Sequence, residues 1–256
     1  MILSFRKASQ VRIQFIRWGL MLVVLLLWQA AGSSSPKAHF FYSTPIEVIS
    51  RLFQELVSGT LLADTAVTCE EVLLGFSTGL VAGFALGLLL WWYGSLGRAM
   101  RPFVIALASV PVFAVAPLLV FWFGVELIGK VIVVALSVVF ICLLSTYQAA
   151  EQIESDFWEV AACVRASRLE ILRRMILKGS IVMGSPSYRL AMAFGFIGAF
   201  LAELISSSNG LGHFIQRSSG LYDVTGIFTG LTAFIVCALI ATLLLEWIDR
   251  RFAKWR

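Results

Sequence analysis

The chain has 256 residues, 59% of them hydrophobic and 14% charged, with a mean hydropathy of +0.90. That balance excludes a soluble domain of this length and describes an integral membrane protein. The formal charge of +5 invites a nucleic-acid partner, but the basic residues fall at the ends of apolar runs rather than in a patch interleaved with aromatics, so no nucleic-acid binding is expected.

A membrane core of about 30 Å needs roughly 20 helical residues to cross it. Six spans are expected on this basis, at 15–31, 67–92, 102–123, 128–147, 188–205 and 224–248. The first follows Arg6, Lys7, Arg12 and Arg17 and precedes Gln29-Ala30-Ala31-Gly32, a pattern that a cleaved signal peptide shares. A retained span is the preferred reading, because six spans keep both termini on one side. Residues 1–66 then form an N-terminal cytoplasmic segment, first span and outer amphipathic segment, and 67–256 a five-span core. Lys and Arg gather at the amino terminus, at Arg98 and Arg101, between Arg165 and Lys178, and at Arg250, Arg251, Lys254 and Arg256, which places these segments and both termini in the cytoplasm.

On the opposite side, Ser33-Ser34-Ser35-Pro36 reads as a turn-rich linker, and residues 45–56 carry apolar side chains at a helical spacing suited to the membrane surface. In the second span Gly75, Gly79, Gly83 and Gly87 recur every fourth residue and form a bare ridge against which another helix can pack closely, within the subunit or in a second copy. The third span holds Pro102, Pro111 and Pro117, and the last two disfavour a straight helix at membrane depth. Such a break either borders a pathway or serves packing alone. Glu70, Glu71, Glu203 and Arg189 lie near span ends, where a paired, water-facing or interfacial location is expected.

Gly124 to Lys130 has the GxxxxGK spacing of a phosphate-binding loop, but Val131 stands where Ser or Thr belongs and the stretch joins two spans, so no nucleotide site is expected. The four cysteines lack metal-ligand spacing, and neither a disulfide nor a metal site is expected.

Residues 148–188 form a polar, helix-forming insert. Asp156 with Glu159 and Ser167 with Glu170 are both spaced as capping boxes, which predicts two short helices. The first presents the small Ala161, Ala162 and Ala166. The second sets Leu169, Leu172 and Ile176 opposite Arg173 and Arg174. This is the surface expected to dock a soluble partner.

Several stretches carry a resemblance. Glu159-Val160-Ala161, Ala166-Ser167-Arg168 and Arg173 to Leu177 in the insert resemble the EAA loop of bacterial ATP-binding-cassette importer permeases. Arg101-Pro102, Val110-Pro111, Pro117-Leu118 and Trp122-Phe123-Gly124 resemble the same family's third span. Ala202-Glu203-Leu204 with Ser208 to Gly212 is similar to the branch that handles nitrate, sulfonates, taurine and bicarbonate. The resemblance implies an all-α, type I importer-like permease with cytoplasmic coupling helices, in the bacterial inner membrane, without catalytic residues or cofactor of its own. ATP and Mg would sit on a cytoplasmic nucleotide-binding ATPase dimer. The resemblance also implies a second permease chain, identical or different, and an extracytoplasmic solute-binding protein. Carried over by position, Glu159, Ala161, Ala162, Arg165, Ser167, Arg168 and Arg173 are the ATPase-coupling residues. Ser109, Phe113, Trp122, Ser145 and Thr146, polar or aromatic residues of the third and fourth spans, are candidates for lining the pathway.

Two positions depart from the family pattern, Arg165 where Gly is usual and Lys178 where Pro is usual. A left-handed Arg165 costs roughly 1 kcal/mol, and Gly179 is expected to end the second helix in place of the proline. The alternatives are an ATPase-independent channel or secondary transporter, and a membrane scaffold that recruits a cytoplasmic protein.

Overall fold

A computed structural model describes residues 2–163, 165–206 and 208–252. Among these the regular structure is helical throughout. Five helices are long and apolar enough to cross a membrane, within Ile13–Ser33, Thr60–Trp92, Leu127–Glu154, Arg168–Ile205 and Val224–Arg251. The chain packs as two units. One holds the residues up to Leu62 together with Phe214–Thr232, and the other holds Ala63–His213 together with the residues from Ala233 onward.

In chain order the helices are α1 (Ile2–Ser33), α2 (Pro36–Tyr42), α3 (Pro45–Ser58), α4 (Thr60–Trp92), α5 (Gly94–Ala108), α6 (Val112–Phe123), α7 (Leu127–Cys163), α8 (Arg168–Ile171), α9 (Leu177–Ser206), α10 (Leu211–Gly220) and α11 (Val224–Phe252). A π-helical turn, Leu172–Ile176, joins α8 to α9.

Six spans were expected, and the third is not a single helix. It is split into α5, with 15 residues, and α6, with 12, neither of which reaches across about 30 Å at about 1.5 Å per residue. The break lies at Ser109-Val110-Pro111. Pro111 has no N–H to donate and disfavours helical backbone at the residue before it, so α5 stops at the Ser109 cap and Pro111 becomes the cap of α6. Pro102 and Pro117 are accommodated inside the two short helices.

The glycine ridge of α4 packs within the chain, along α7. A Cβ on Gly79 would lie 2.7 Å from the Ala135 carbonyl oxygen, and one on Gly87 2.7 Å from that of Leu143. Gly75 and Gly83 meet Val134 and the Val139 carbonyl even more closely. The partner positions advance along α7 as the glycines advance along α4, so the two helices run parallel with their backbones nearly touching. Against this pair α9 closes a core of Val72, Phe76, Val134, Val138, Cys142, Tyr188, Ala191 and Phe196. Ala116, Leu119 and Val120 seat α6 on Val133 of α7 and Ala202 of α9.

Candidate functional site: a coupling link and a buried polar cluster

The insert is built differently from two short helices on a loop. α7 runs unbroken from the span through Cys163, so no helix starts at the Asp156–Glu159 pair. Spacing permits a capping box there, but the residues upstream are already helical. α9 likewise continues through Lys178 and Gly179, which does not end a helix. Gly179 instead lets the backbone approach Ile153 of α7. The insert is therefore the far ends of two long helices joined by a link of a few residues.

That link is fixed in detail. Arg165 has φ +48°, the left-handed conformation that Gly takes at little cost. Ser167 closes the expected capping box: the Glu170 amide donates to Ser167 Oγ at 3.3 Å, and the Ser167 amide donates to Glu170 Oε2 at 2.9 Å. The Arg168 guanidinium stands over Trp92 and Trp91 at the end of α4, 5.1 Å and 5.7 Å from the ring centroids. Trp91 Nε1 donates to Glu154 Oε2 of α7 at 2.8 Å. Beneath the link, Trp91, Tyr147, Ala150, Ile153 and Ile176 are packed out of solvent.

Arg165, Ser167, Arg168 and Arg173 all remain on the exposed side, together with Arg174, Phe157 and Leu169. Of the apolar face expected on the second helix, Ile176 is buried and Leu172 half-buried, whereas Leu169 is exposed. The π-helical turn shifts the register between them. Glu159, Ala161 and Ala162 lie on the α7 backbone, but their side chains are outside the described residues. Removing the cap is expected to loosen the link without unfolding the chain. Ser167→Ala costs about 1 kcal/mol at such a site, so exchange of the amides at the start of α8 should speed up by about fivefold, read by hydrogen–deuterium exchange.

The pathway candidates do not converge on one place. Ser109 caps α5 and is exposed, Trp122 is exposed on α6, and Ser145 is half-buried on α7. Phe113 belongs to α6, its side chain outside the described residues. Thr146 is fully enclosed: its hydroxyl donates to the Cys142 carbonyl at 2.7 Å and lies 2.9 Å from the Tyr188 hydroxyl, and its side chain faces Gly87.

At the opposite end of α4, α7 and α9 the structure brings together residues that sequence reasoning left apart. Lys130 Nζ donates to Glu71 Oε1 at 2.7 Å, with the two side chains 8% and 1% exposed. Lys130 therefore stands in the first turn of a helix as the counter-ion of a buried carboxylate, and no phosphate loop is formed. Glu203 is also fully buried, and its carboxylate accepts from Thr68 Oγ1 at 2.6 Å and from the Gly212 amide. Thr68 in turn accepts from the Leu211 amide at 2.9 Å, and Asp64 from the Gly210 amide at 2.9 Å. Gly210 has φ +111°, and a Cβ there would collide with the Glu203 carboxylate, so both its backbone and its missing side chain are required. The Ala202-Glu203-Leu204 and Ser208 to Gly212 stretches are thus two halves of one tie, in which Glu203 and α4 satisfy the amides that open α10. Arg189 pairs with Asp249 of α11 at 3.1 Å.

Residues 78–254 match the family described as the binding-protein-dependent transport system inner membrane component. The chain belongs to that family. It is a multi-pass membrane protein and the permease subunit of an ATP-binding-cassette importer. The permease is 25% identical to the putative aliphatic sulfonates transport permease protein SsuC of Bacillus subtilis, over 91% of this chain and 85% of that protein. It is 30% identical to the riboflavin transport system permease protein RibX of Chloroflexus aurantiacus, over 92% and 88%. It is 22% identical to the taurine transport system permease protein TauC of Escherichia coli, over 93% and 88%. In fold the permease is similar to a chain of the MetNI methionine ABC transporter in an inward-facing conformation, with a TM-score of 0.68 at 14% identity, covering 77% of this permease and 98% of that chain. The channel and scaffold alternatives are not favoured.

Proposed function

We propose that this permease carries a small solute of the nitrate, sulfonate, taurine or bicarbonate type, and that the link between α7 and α9 docks on a cytoplasmic ATPase dimer that holds ATP and Mg and performs the hydrolysis. The permease itself binds no cofactor. A second permease chain completes the pathway, with Ser109, Phe113, Trp122 and Ser145 as candidates for lining it, and an extracytoplasmic binding protein delivers the solute. Both termini and the link lie on the cytoplasmic side, in keeping with the basic residues gathered there. The similarity to SsuC and TauC supports the solute class.

The observation that carries the coupling role is the construction of the link. It is short, capped by Ser167 and Glu170, held to α4 through Arg168 on Trp91 and Trp92, and presents Phe157, Leu169 and the arginines 165, 173 and 174 outward. Exposed apolar side chains together with arginines suit a protein partner's cleft. A rigid turn also passes on a partner's displacement, which a loose loop would absorb.

The test is gentle purification of the tagged chain from its native membrane, with identification of what accompanies it. A nucleotide-binding ATPase is expected with the wild type and is lost with Glu159→Lys, which still inserts normally but no longer transports. Normal transport by Glu159→Lys, or wild-type complexes without any ATPase, would overturn the docking role.

A further inference from the structure

α3 is amphipathic in an unusual sense, because the protein holds its polar side and leaves an apolar stripe uncovered. Ile46, Ile49, Phe53 and Val57 are 67%, 54%, 63% and 88% exposed and fall at the helical spacing that puts them on one face. Glu47, Arg51 and Glu55 form a second stripe, and each is engaged. Glu47 Oε1 is 2.7 Å from His39 Nε2, and the Ser43 hydroxyl lies 3.3 Å from Glu47 Oε2 and 2.8 Å from Thr225 Oγ1. The hydrogen bond from His39 holds the Glu47 carboxyl below its ordinary value. Arg51 pairs with Glu55 at 2.9 Å and approaches Asp223 at 3.8 Å. A helix in water on its free side would carry the reverse arrangement.

The chain also dictates where this helix lies. α1 ends at Ser33 and α4 begins at Thr60, so α2 and α3 occupy a short connection between two membrane-spanning helices. α2 and α3 pack against α1. Trp28 Nε1 of α1 donates to the Tyr42 carbonyl at 2.9 Å, and Gly32 lets the end of α1 touch the Ser43 backbone. The pair is therefore clamped to the last turns of α1, a helix long and apolar enough to cross a membrane whose apolar side chains from Phe15 to Leu27 are themselves uncovered.

We propose that α3 lies in the plane of the lipid interface at the membrane face where α1 ends, with Ile46, Ile49, Phe53 and Val57 inserted among the lipids and the Glu47, Arg51 and Glu55 stripe turned to the protein. The uncovered stripe sits on a helix packed against α1, whose own apolar side chains are uncovered, and an interfacial helix buries such a stripe in lipid. The occupant is the bilayer, in place of a second copy of this chain or a solute-binding protein.

The first measurement uses the wild-type chain in nanodiscs of phosphatidylethanolamine and phosphatidylglycerol doped with a phospholipid that bears a diazirine near the top of its acyl chain. After photolysis, mass spectrometry should place lipid adducts on Ile46, Ile49, Phe53 or Val57 at a frequency comparable to α1 and at least fivefold above Glu47, Arg51 and Glu55. The second places a nitroxide at Phe53→Cys or Gln54→Cys in a variant whose four native cysteines are replaced. Label 53 should collide preferentially with oxygen, and label 54 with a water-soluble nickel chelate. Equal adducts on both stripes, or a label at 53 as open to nickel as the one at 54, would overturn the proposal. So would a label at 53 shielded from both quenchers, because that outcome means a protein covers the stripe.

Discussion

Lys130→Met is expected to lower the thermal transition of the detergent-solubilised permease by an amount corresponding to about 3–5 kcal/mol, the cost of breaking a buried ion pair from one side. The Glu71 carboxylate is 1% exposed, and its second oxygen has no hydrogen-bond partner among the described residues. Its neighbourhood also holds the buried Glu203. Taking away the ammonium leaves two carboxyl groups in a site from which water is excluded. The companion test is Lys130→Met with Glu71→Gln, which removes the unbalanced charge and should recover much of the loss. Fluorescence-detected size-exclusion after heating reads both. A Lys130→Met protein that melts with the wild type would mean that the pair is worth no more than the 0–1 kcal/mol of a surface contact, and the cluster would not hold the helix ends together.

Gly83→Leu is expected to abolish accumulation of folded permease. A Cβ at position 83 would lie 2.7 Å from Cys142 Cβ and 3.0 Å from the Leu143 nitrogen, and closer still to the Val139 carbonyl. Two of these three obstacles are backbone, so α7 cannot yield by changing a rotamer. Gly83→Ala should already cost about 1–3 kcal/mol, the usual range for overpacking, and the leucine must force the helices apart over several turns. Gly19 of α1 supplies the control, since a Cβ there meets nothing within 4 Å and Gly19→Ala should be neutral or mildly stabilising. Yield of monodisperse protein for the three variants, at equal expression, decides the matter. Wild-type yield of Gly83→Leu would show that the ridge does not set the helix spacing.

These two features were unequally legible. The glycine ridge announces itself by spacing, because four bare positions on one face leave little choice but close packing; what spacing cannot say is which helix approaches, and the structure assigns α7 of the same chain. The cluster announces itself only by cost. Charges inside apolar runs need partners, yet Glu71 and Lys130 are 59 residues apart and Thr68 and Glu203 are 135 apart, so no local pattern pairs them. Lys130 also stood in a deceptive motif, and only its ion pair shows what it is for.

The two capping-box spacings of the insert part ways for a related reason. Ser167 and Glu170 do form a capping box, because the residues before them leave the helix through Arg165. Asp156 and Glu159 have the same spacing but follow residues that already propagate a helix, and a cap has no function where no helix begins. The break between α5 and α6 lay between these cases. Its prolines were visible, but whether Pro111 kinks a helix or ends one depends on packing, and the packing of α6 on α7 and α9 allows the chain to stop and restart.

The unbroken course of α7 has a mechanical consequence. At about 1.5 Å per residue its 37 residues make a rod about 55 Å long, with Lys130 in the first turn and the link at the last. A pivot of only about 5° about its Lys130 end swings the link end by about 4.8 Å. Because α4 is pressed closely against it at four successive turns, the two pack as one plate. The Glu71–Lys130 pair then locks the two helices together at the far edge of that plate, and the hydrogen bond from Thr68 to Glu203 pins the same edge to α9.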